Sequence, residues 1–249
     1  MNYQDINKET INRWAKEGWQ WAQPINHEEY IAATQGHWDI VLTPLKHVPK
    51  DWFGDLKGKK VLGLASGGGQ QMPILTAAGA ICTVMDYSDK QLETERMVAK
   101  REGYDIEIIE ADMTKRFPFA DETFDFVVHP VSNCYIEDVE HVFKEAYRVL
   151  KKGGVMLSGL GNEINYIVDN DEREIIWEMP FNPLKDEKAM AFMQEEQCGV
   201  QFSHDMSEQI GGQLRAGFRL VDLYEDTNGE GRLHDLNIKT YIATKSVKE

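Results

Sequence analysis

The stretch KKVLGLASGGGQQMPILTAAGA, residues 59–80, decides the fold. An apolar run, KVLGLA, leads into three consecutive glycines, Gly67–Gly69, and a helical pattern begins at about Gln71. Glycine has no Cβ and tolerates positive φ, so such a loop lets the backbone turn tightly after a strand and approach a bound nucleotide. The stretch therefore predicts a strand, a nucleotide-binding turn and a helix.

The spacing of this loop disagrees with two phosphate-binding motifs. A dinucleotide-binding turn needs a small residue at the third position of G-x-G-x-x-G/A, where this chain has Met72. The segment GDLKGKK, residues 54–60, has neither the glycine spacing nor the Ser or Thr of a Walker loop. Phosphate cradling by this loop is therefore unsupported.

Outward from the loop, short apolar runs alternate with helical patterns. The runs are KVLGLA, ICTVMDYS, IEIIEADM, FDFVVHP and VMLSGLG, with helices through DKQLETERMVAKREG and EHVFKEAYRVLKKGG. This alternation is typical of right-handed crossover units and a parallel sheet with helices on both faces. Near the end of the chain, RLVDLYED and KTYIATKS flank the turn-forming TNGEGRLHD, so we expect them to pair antiparallel. The predicted fold class is a doubly wound α/β sheet, mostly parallel with an antiparallel end.

Two segments stand outside this alternation. Residues 1–55 hold five of the six tryptophans and are predicted to form an N-terminal helical cap, with short helices in TINRWAKEGWQWA and HEEYIAATQGHWDIVL. Residues 56–249 are predicted to form the sheet domain, with an acidic, aromatic lid insertion at about 162–203, after which a helix resumes in HDMSEQIGGQLRAGF. Cap and lid would close a largely apolar chamber suited to a small molecule.

The composition excludes several classes of partner. The net charge of -15 at pH 7 and the pI near 4.9 disfavour nucleic acid and anionic membranes, which recruit clustered Lys and Arg. No signal peptide and no apolar run of about 18 residues is visible, so we expect a cytoplasmic protein. Cys82, Cys134 and Cys198 fit reduced, buried thiols, and the histidine spacing predicts no metal site.

Acidic residues end two of the predicted strands. Asp86 closes ICTVMD, where an acid in this topology can accept hydrogen bonds from both ribose hydroxyls. Asp112 and Met113 close the next strand, where a carboxylate can accept the amino proton of adenine while methionine packs on the ring. A ribose-binding acid alone does not distinguish between cofactors.

Together, VLGLASGGGQQ, VMDYS, EADM and FPFADETFDFVVHPVSNCYIEDVEHVFKEAYRVLKKGGVML resemble the ordered motifs of class I S-adenosylmethionine-dependent methyltransferases, over roughly residues 58–160. The resemblance implies a Rossmann-like seven-stranded sheet, S-adenosylmethionine as cofactor and S-adenosylhomocysteine as product. It assigns the methionine portion to Ala65, Ser66, Gly67 and Gly69, the ribose to Asp86, the adenine to Asp112 and Met113, and places His129 near the sulfonium. The other cofactor contacts it implies are Gln70, Gln71, Tyr87, Ser88, Gln91, Ala111 and Val131.

The chain departs from the family's D-x-G-x-G-x-G loop at two positions. Gly63 occupies the position of the motif acid, which normally helps to anchor the methionine amino group, and Ala65 occupies the position of the first motif glycine. Leaving one partner of a buried charge pair alone costs about 3–5 kcal/mol, so another group should meet the ammonium. Our hypothesis names Gln70, Gln71, or a cap residue such as Tyr30 or His37.

Methyl transfer from a sulfonium is an in-line displacement, to which positioning in a dry pocket contributes up to roughly 7–11 kcal/mol. His129 is a candidate base because its ordinary pKa lies near neutrality; the alternative is a satisfied imidazole in the cofactor wall. Tyr135 is a second catalytic candidate, on a loop shared with Asn133 and Cys134. The aromatic residues that could face the chamber are Trp14, Trp38, Tyr166, Trp177 and Phe181.

The expected function is therefore methyl transfer from S-adenosylmethionine to an unidentified small molecule. A nicotinamide oxidoreductase is one alternative, which Met72 and the antiparallel terminal strands disfavour. A non-catalytic module that binds S-adenosylmethionine or a partner is another, suggested by the altered loop at Gly63 and Ala65. The sequence identifies neither the acceptor atom nor the oligomeric state.

Overall fold

Seven strands form one sheet in the computed structural model, which describes residues 2–249. The strands are β1 (Lys60–Leu64), β2 (Ile81–Asp86), β3 (Glu107–Glu110), β4 (Phe124–His129), β5 (Leu150–Gly161), β6 (Phe218–Asp226) and β7 (Tyr241–Lys248). Their spatial order is β3-β2-β1-β4-β5-β7-β6. The first five strands are parallel, and β7 runs antiparallel to both β5 and β6. The predicted fold class, a mostly parallel sheet with an antiparallel end, is confirmed.

Within residues 2–249, eight α-helices accompany the strands. They are α1 (Tyr3–Glu17), α2 (His27–Thr34), α3 (Gln71–Ala77), α4 (Asp89–Glu102), α5 (Val139–Val149), α6 (Glu187–Glu195), α7 (Met206–Ala216) and α8 (Gly231–Asp235). Local signals set several ends: Ser88 accepts a hydrogen bond from the Gln91 amide at the start of α4, and Gly103 ends that helix with a left-handed φ of 75°.

The two faces of the sheet bury separate apolar clusters. Val61 of β1 packs with residues of α3 on one face, while its neighbour Leu62 packs with residues of α5 on the other. Successive side chains of a strand point to opposite faces, so strands buried on both sides have to be apolar throughout. This explains why the central strands appear in the sequence as continuous apolar runs.

Several boundaries differ from the predicted ones. The helix expected to run to Gly154 ends at Val149, because Leu150 already pairs with Phe124 and β5 begins there. The turn between β6 and β7 contains the short α8, the lid contains the unpredicted α6, and α1 begins at Tyr3 rather than near Thr10. Each difference lies where a turn, cap or tertiary contact outweighs the local pattern.

The N-terminal segment divides into two parts by packing. Residues from Ile40 to Leu56 contribute to the same apolar cluster as the sheet, through Leu42, Trp52 and Phe53 among others. In contrast, the only residue that α1 buries is the polar Asn7. The boundary between cap and sheet domain at residues 55 and 56 remains a prediction.

Candidate active site

A cavity of about 250 Å³ lies at the carboxyl ends of β1, β2, β3 and β4, where the strand order changes direction. This is the edge at which open α/β sheets bind ligands. Among the residues predicted to contact the cofactor, its wall contains Ala65, Ser66, Gly67, Gln70, Gln71, Asp86, Tyr87, Ser88, Gln91, Ala111, Asp112, Met113 and Val131, together with the catalytic candidate Tyr135. Gly69 and His129 are not part of this wall.

The glycine loop is packed tightly against the end of β2 and the start of α4. A Cβ on Gly67 would lie 2.7 Å from Gln91 Cβ and 3.0 Å from Asp86 Oδ2, so this position accepts no side chain without a shift of α4. Ala65 has a φ of 48°, a left-handed conformation that costs a residue with a side chain roughly 1–2 kcal/mol. The loop conformation is therefore retained although one of its glycines is replaced.

Met72 occupies the space that the absent motif acid would need. A Cβ on Gly63 would lie 2.6 Å from Met72 Sδ and 2.8 Å from Met72 Cγ. Met72 is completely buried and belongs to the apolar cluster beneath the loop. Met72 therefore accounts for both departures from known motifs. It stands at the third position of the dinucleotide fingerprint, and its side chain fills the space beside Gly63 that the motif acid would need.

Glu95 supports the loop from below and was missed by the sequence reasoning. It lies on α4, is 0% exposed, and its Oε2 accepts a hydrogen bond of 2.9 Å from the Gly69 amide. Burial raises the pKa of Glu95 to about 8, although the bonds from Gly69 and Tyr104 oppose the shift. Its position on the buried stripe of α4, between Leu92 and Val98, was the available signal.

Asp86 joins the loop to the end of β2. Its Oδ2 accepts the Gly67 amide at 3.0 Å, and its Oδ1 accepts the Ser88 amide at 2.9 Å. Burial raises the pKa of this carboxyl, while the backbone donors of Ser88, Gly67 and Tyr87 act in the opposite direction. Each oxygen retains a lone pair for a further donor, so the carboxylate can also accept hydrogen bonds from hydroxyl groups of a ligand in the cavity.

Asp112 and Met113 line the cavity after β3. The Thr114 amide donates to Asp112 Oδ1 at 2.8 Å, which fixes the carboxylate at the mouth of the strand. The neighbouring Ala111 amide donates to the Asp86 carbonyl, so the ends of β2 and β3 are held together. The two predicted acidic positions therefore face one cavity.

Helix α1 forms part of the cavity wall and is held in place by polar contacts. Asn7 Nδ2 donates to the carbonyls of Tyr135 at 3.0 Å and Val200 at 2.9 Å, and its Oδ1 accepts the Val200 amide at 2.6 Å. Lys8, the next residue in the chain, also lies in the cavity wall and is paired with Glu110 at the end of β3. Asn7 thus links α1, the loop after β4 and the lid.

The four residues proposed to replace the acid occupy different places. Gln70 and Gln71 line the cavity, whereas Tyr30 and His37 do not. Both amide atoms of Gln71 already have a protein partner: its Oε1 accepts a hydrogen bond from Ser66 Oγ at 3.0 Å, and its Nε2 donates to the Val41 carbonyl at 3.3 Å. Tyr30 stacks on Tyr104 with ring centroids 5.5 Å apart, outside the site.

The placement of His129 argues against its expected role as a base. The ring is 0% exposed, with Nδ1 3.0 Å from the Leu64 carbonyl and Nε2 2.8 Å from Asn133 Oδ1. Burial lowers the pKa of His129, so the neutral imidazole is favoured. Nδ1–H can donate to the Leu64 carbonyl, Nε2 faces the side-chain amide of Asn133, and the residue is not part of the cavity wall, so the ring holds β4 against β1.

The aromatic residues expected around the chamber are mostly elsewhere. Only Tyr166 lines the cavity; Trp14 packs on Trp19, Trp38 on Phe53, and Trp177 on Phe181 in the lid. Sequence reasoning missed other parts of the wall, because they come from distant segments. They include Asn7, Lys8, Trp19, Trp21, Thr43, Gln201 and Tyr241.

Within residues 2–249, no group of three or more His, Cys, Asp or Glu side chains is arranged to hold a metal ion. No helix in this described part of the chain is long and apolar enough to cross a membrane.

Comparison with known proteins identifies relatives of the chain. Residues 62–158 match the family described as "Methyltransferase domain". The chain is 41% identical over 249 residues to the "Uncharacterized methyltransferase YbaJ" of Bacillus subtilis, with 97% of each chain covered. It is 26% identical over 194 residues to the ubiquinone/menaquinone biosynthesis C-methyltransferase UbiE of Klebsiella pneumoniae, covering 74% of this chain and 76% of that protein. An S-adenosylmethionine dependent methyltransferase from Mesorhizobium loti has the same fold, with a TM-score of 0.63, 16% identity, and coverage of 80% and 95%.

Proposed function

Because the chain belongs to the class I S-adenosylmethionine-dependent methyltransferases, we propose that its cavity binds S-adenosylmethionine and that the protein methylates a small molecule. The observation that carries this proposal is the convergence of Gly67, Asp86 and Asp112 on one cavity at the switch point of the sheet. The loop after β1 lets the backbone come close to a ligand, the end of β2 offers a carboxylate to the ribose, and the end of β3 offers a carboxylate to the adenine.

The nucleoside half of the cofactor is assigned to the β2 and β3 side. Asp86 is held by two backbone amides, so its remaining lone pairs have a defined direction toward the ribose hydroxyls. Asp112 accepts the adenine amino group, and Met113 packs on the ring. Helix α1 covers this half through Lys8 and its neighbours.

The methionine half is assigned to the loop after β1, with Gln70 as the group that meets its ammonium. Gln70 Nε2 donates to the carbonyls of Gln20 and Gln23, both at 2.9 Å, which fixes the amide and leaves its carbonyl oxygen as an acceptor. Gln71 has both amide atoms engaged and is the weaker candidate. Calorimetry with S-adenosylhomocysteine should show weaker binding for Gln70→Ala than for Gln71→Ala. Unchanged affinity in Gln70→Ala would contradict this assignment.

Catalysis is assigned to positioning rather than to a base. S-adenosylmethionine supplies an electrophilic methyl group, which an acceptor lone pair attacks in line as the carbon–sulfur bond breaks. His129 is enclosed, and burial holds the pKa of Tyr135 well above its ordinary value, so neither side chain takes a proton near neutral pH. The residues that follow β4 and β5 in the cavity wall then have to hold the acceptor so that its lone pair points at the methyl group.

The remaining expectations stand as predictions. The Klebsiella relative is named for ubiquinone/menaquinone biosynthesis, which supports a small-molecule acceptor for this chain. The acidic sequence supports a cytoplasmic protein that binds neither nucleic acid nor membranes. The family assignment decides against the nicotinamide oxidoreductase, and a module that binds the cofactor without turnover is an outcome of the test below.

The test is isothermal calorimetry of the purified protein with S-adenosylmethionine, S-adenosylhomocysteine and, as a control, NAD. Asp86→Asn removes the charge and replaces one acceptor oxygen by an NH2 group, so one of the two backbone hydrogen bonds is lost as well. It should weaken binding by at least roughly 10- to 100-fold, since hydrogen bonds to charged groups contribute about 1.5–3 kcal/mol. Asp105→Asn, at an exposed position before β3, is the matched control and should bind like the wild type.

Two results would overturn the proposal. Failure of the wild-type protein to bind either sulfur compound would show that the altered loop no longer forms a site. Tight binding combined with no methyl transfer to any member of a broad acceptor panel would favour the non-catalytic module.

A further inference from the structure

Three tyrosines from separate elements meet on the far side of the cavity from the nucleoside half. Tyr135 lies in a single 3₁₀ turn after β4, Tyr166 ends another such turn after β5, and Tyr241 is the first residue of β7. All three line the cavity. Because β7 is antiparallel, its beginning pairs with the end of β5, where Gly161 lies opposite Tyr241. The antiparallel strand thereby brings its first side chain to the ligand-binding edge.

The side chains of Tyr166 and Tyr241 converge at Gly161, which pairs with Tyr241 and leaves room for the Tyr166 hydroxyl. Cys134, next to Tyr135 in the chain, lines the same cavity. A Cβ on Gly161 would lie 3.1 Å from Tyr166 Oη, so the glycine leaves the space that this hydroxyl occupies. We call Tyr135, Tyr166 and Tyr241 the three-tyrosine pocket.

Burial keeps these phenols protonated. It raises the pKa values of Tyr135 and Tyr166 well above the ordinary value of 10.0, and that of Tyr241 to about 12. The other groups that act on these side chains are the Cys134 and Cys198 thiols, the phenols themselves and, for Tyr241, Asp226 and Glu172. At neutral pH the pocket therefore presents hydroxyl donors.

Charged side chains are confined to the opposite side of the cavity. Of the described residues in the wall, only Lys8, Asp86 and Asp112 are Lys, Arg, His, Asp or Glu. All three lie toward the ends of β2 and β3, and Lys8 is already paired with Glu110. A carboxylate or phosphate in the three-tyrosine pocket would lack a cation in the wall, and an ammonium would find carboxylates only behind the wall, at Asp226 and Glu172. An oxygen that accepts hydrogen bonds without a permanent charge fits these donors.

We propose that the three-tyrosine pocket binds the oxygen of a phenol or enol acceptor and stabilises it as an oxyanion during methyl transfer. This inference rests on the proposed function, because it places the acceptor next to the methyl donor. The acceptor hydroxyl gives its proton to water. Its electron pair, on oxygen or on the conjugated carbon, forms the bond to the methyl carbon, while the electrons of the carbon–sulfur bond pass to sulfur.

Preformed donors aimed at a developing oxyanion explain how the reaction proceeds without a base in the wall. Hydrogen bonds to an ionised oxygen are stronger than those to a neutral one. Several hydroxyl donors directed at one acceptor oxygen therefore outweigh the desolvation that raises the pKa values of the tyrosines themselves, and the pocket lowers the pKa of the bound acceptor. The phenol or enol then supplies its nucleophile at neutral pH, although His129 is enclosed.

The test uses 4-nitrophenol, whose visible absorbance reports its own ionisation, with S-adenosylhomocysteine present. Bound to the wild-type protein, the probe should titrate about one pH unit below the free probe. Tyr166→Phe and Tyr241→Phe each remove one hydroxyl and should reduce this shift and weaken probe binding several-fold. Tyr147→Phe is the matched control, because Tyr147 packs on Phe218 away from the cavity, and it should behave like the wild type.

Benzoate and benzylamine place a carboxylate or an ammonium on a similar ring and should bind more weakly than 4-nitrophenol. A bound probe that titrates like the free one, a shift that survives both substitutions, or equal binding of the three probes would overturn the inference. Calorimetry with S-adenosylhomocysteine on every variant separates the two proposals. If the cofactor product binds and the probe fails these tests, only the phenol inference is wrong; if the wild type does not bind the product, the proposed function is wrong, and this inference falls with it.

Discussion

The buried carboxyl of Glu95 gives the most quantitative prediction, for the substitution Glu95→Gln. Glutamine has nearly the same shape, and its carbonyl oxygen can accept the Gly69 amide that Glu95 Oε2 now accepts at 2.9 Å. Its amide nitrogen can donate to the Tyr104 hydroxyl, which lies 3.5 Å from Glu95 Oε1. The substitution therefore keeps the contacts of the loop and removes only the ability to ionise.

The magnitude follows from the difference in pKa between the folded and unfolded states. The pKa of Glu95 rises from an ordinary 4.5 to about 8 on burial, so the folded state binds the proton more tightly than the unfolded state. The stability contributed by this group is complete below pH 4.5 and is lost as the pH rises through about 8. At about 1.4 kcal/mol for each pH unit, the loss is about 3 kcal/mol at pH 7 and about 5 kcal/mol above pH 8.

The measurement is urea unfolding of the wild type and Glu95→Gln at pH 5, 7 and 9. The variant should be similar to the wild type at pH 5, more stable by about 3 kcal/mol at pH 7, and more stable still at pH 9. Glu93→Gln is the control: Glu93 lies on the same helix, is exposed and pairs with Lys90, so we expect a change of at most about 0.5 kcal/mol.

Parallel pH profiles for the wild type and Glu95→Gln would refute the reasoning, because they would show that Glu95 has the same pKa in both states. A lower stability of the variant at pH 7 would refute it in another way. It would mean that the Gly69 amide requires a charged partner, and that the folded state holds Glu95 as a carboxylate.

Three further substitutions test the loop and the cap. Gly63→Asp restores the motif acid but collides with Met72, so the free energy of unfolding should fall by about 3 kcal/mol in a urea titration, and adding Met72→Ala should recover part of it. Ala65→Gly should gain about 0.5–1 kcal/mol in the same assay, because it relieves the φ of 48°; a loss would show that Ala65 is not strained. Asn7→Ala leaves the buried Val200 amide without its acceptor and should cost about 1–3 kcal/mol, with faster release of S-adenosylhomocysteine in stopped flow; unchanged kinetics would show that the polar contacts of α1 do not retain the ligand.

The sheet was predictable because its strands are buried on both faces. Continuous apolar runs alternating with helical patterns predicted five parallel strands, and the turn-rich stretch before KTYIATKS predicted the antiparallel end. The end of α5 was not predictable from the helical pattern, since Lys151 and Lys152 suit a helix as well as a strand. Pairing of Leu150 with Phe124, a contact over 26 positions, decides it.

The candidate site was predictable where it depends on strand ends, and not where it depends on side-chain direction. Asp86 and Asp112 follow strands, so any parallel sheet would bring them to one edge. The direction of the His129 ring depends on the Leu64 carbonyl, 65 positions away, and no local pattern reports it. Tyr241 reaches the cavity only because β7 is inserted antiparallel beside β5.

The altered glycine loop shows how a fold can lose a motif residue and keep its shape. The volume of the acid is filled by Met72, so the loop is held at Gly63 by apolar packing instead of by a carboxylate. Polar support comes from the neighbouring strand and helix, since Asp86 binds the Gly67 amide and Glu95 binds the Gly69 amide. Both carboxyl groups act on the backbone of the loop and leave its cavity face to the ligand. In the proposed binding mode, the change at Gly63 therefore alters the contacts available to the methionine end of the cofactor, while the ribose and adenine contacts proposed for Asp86 and Asp112 are independent of it.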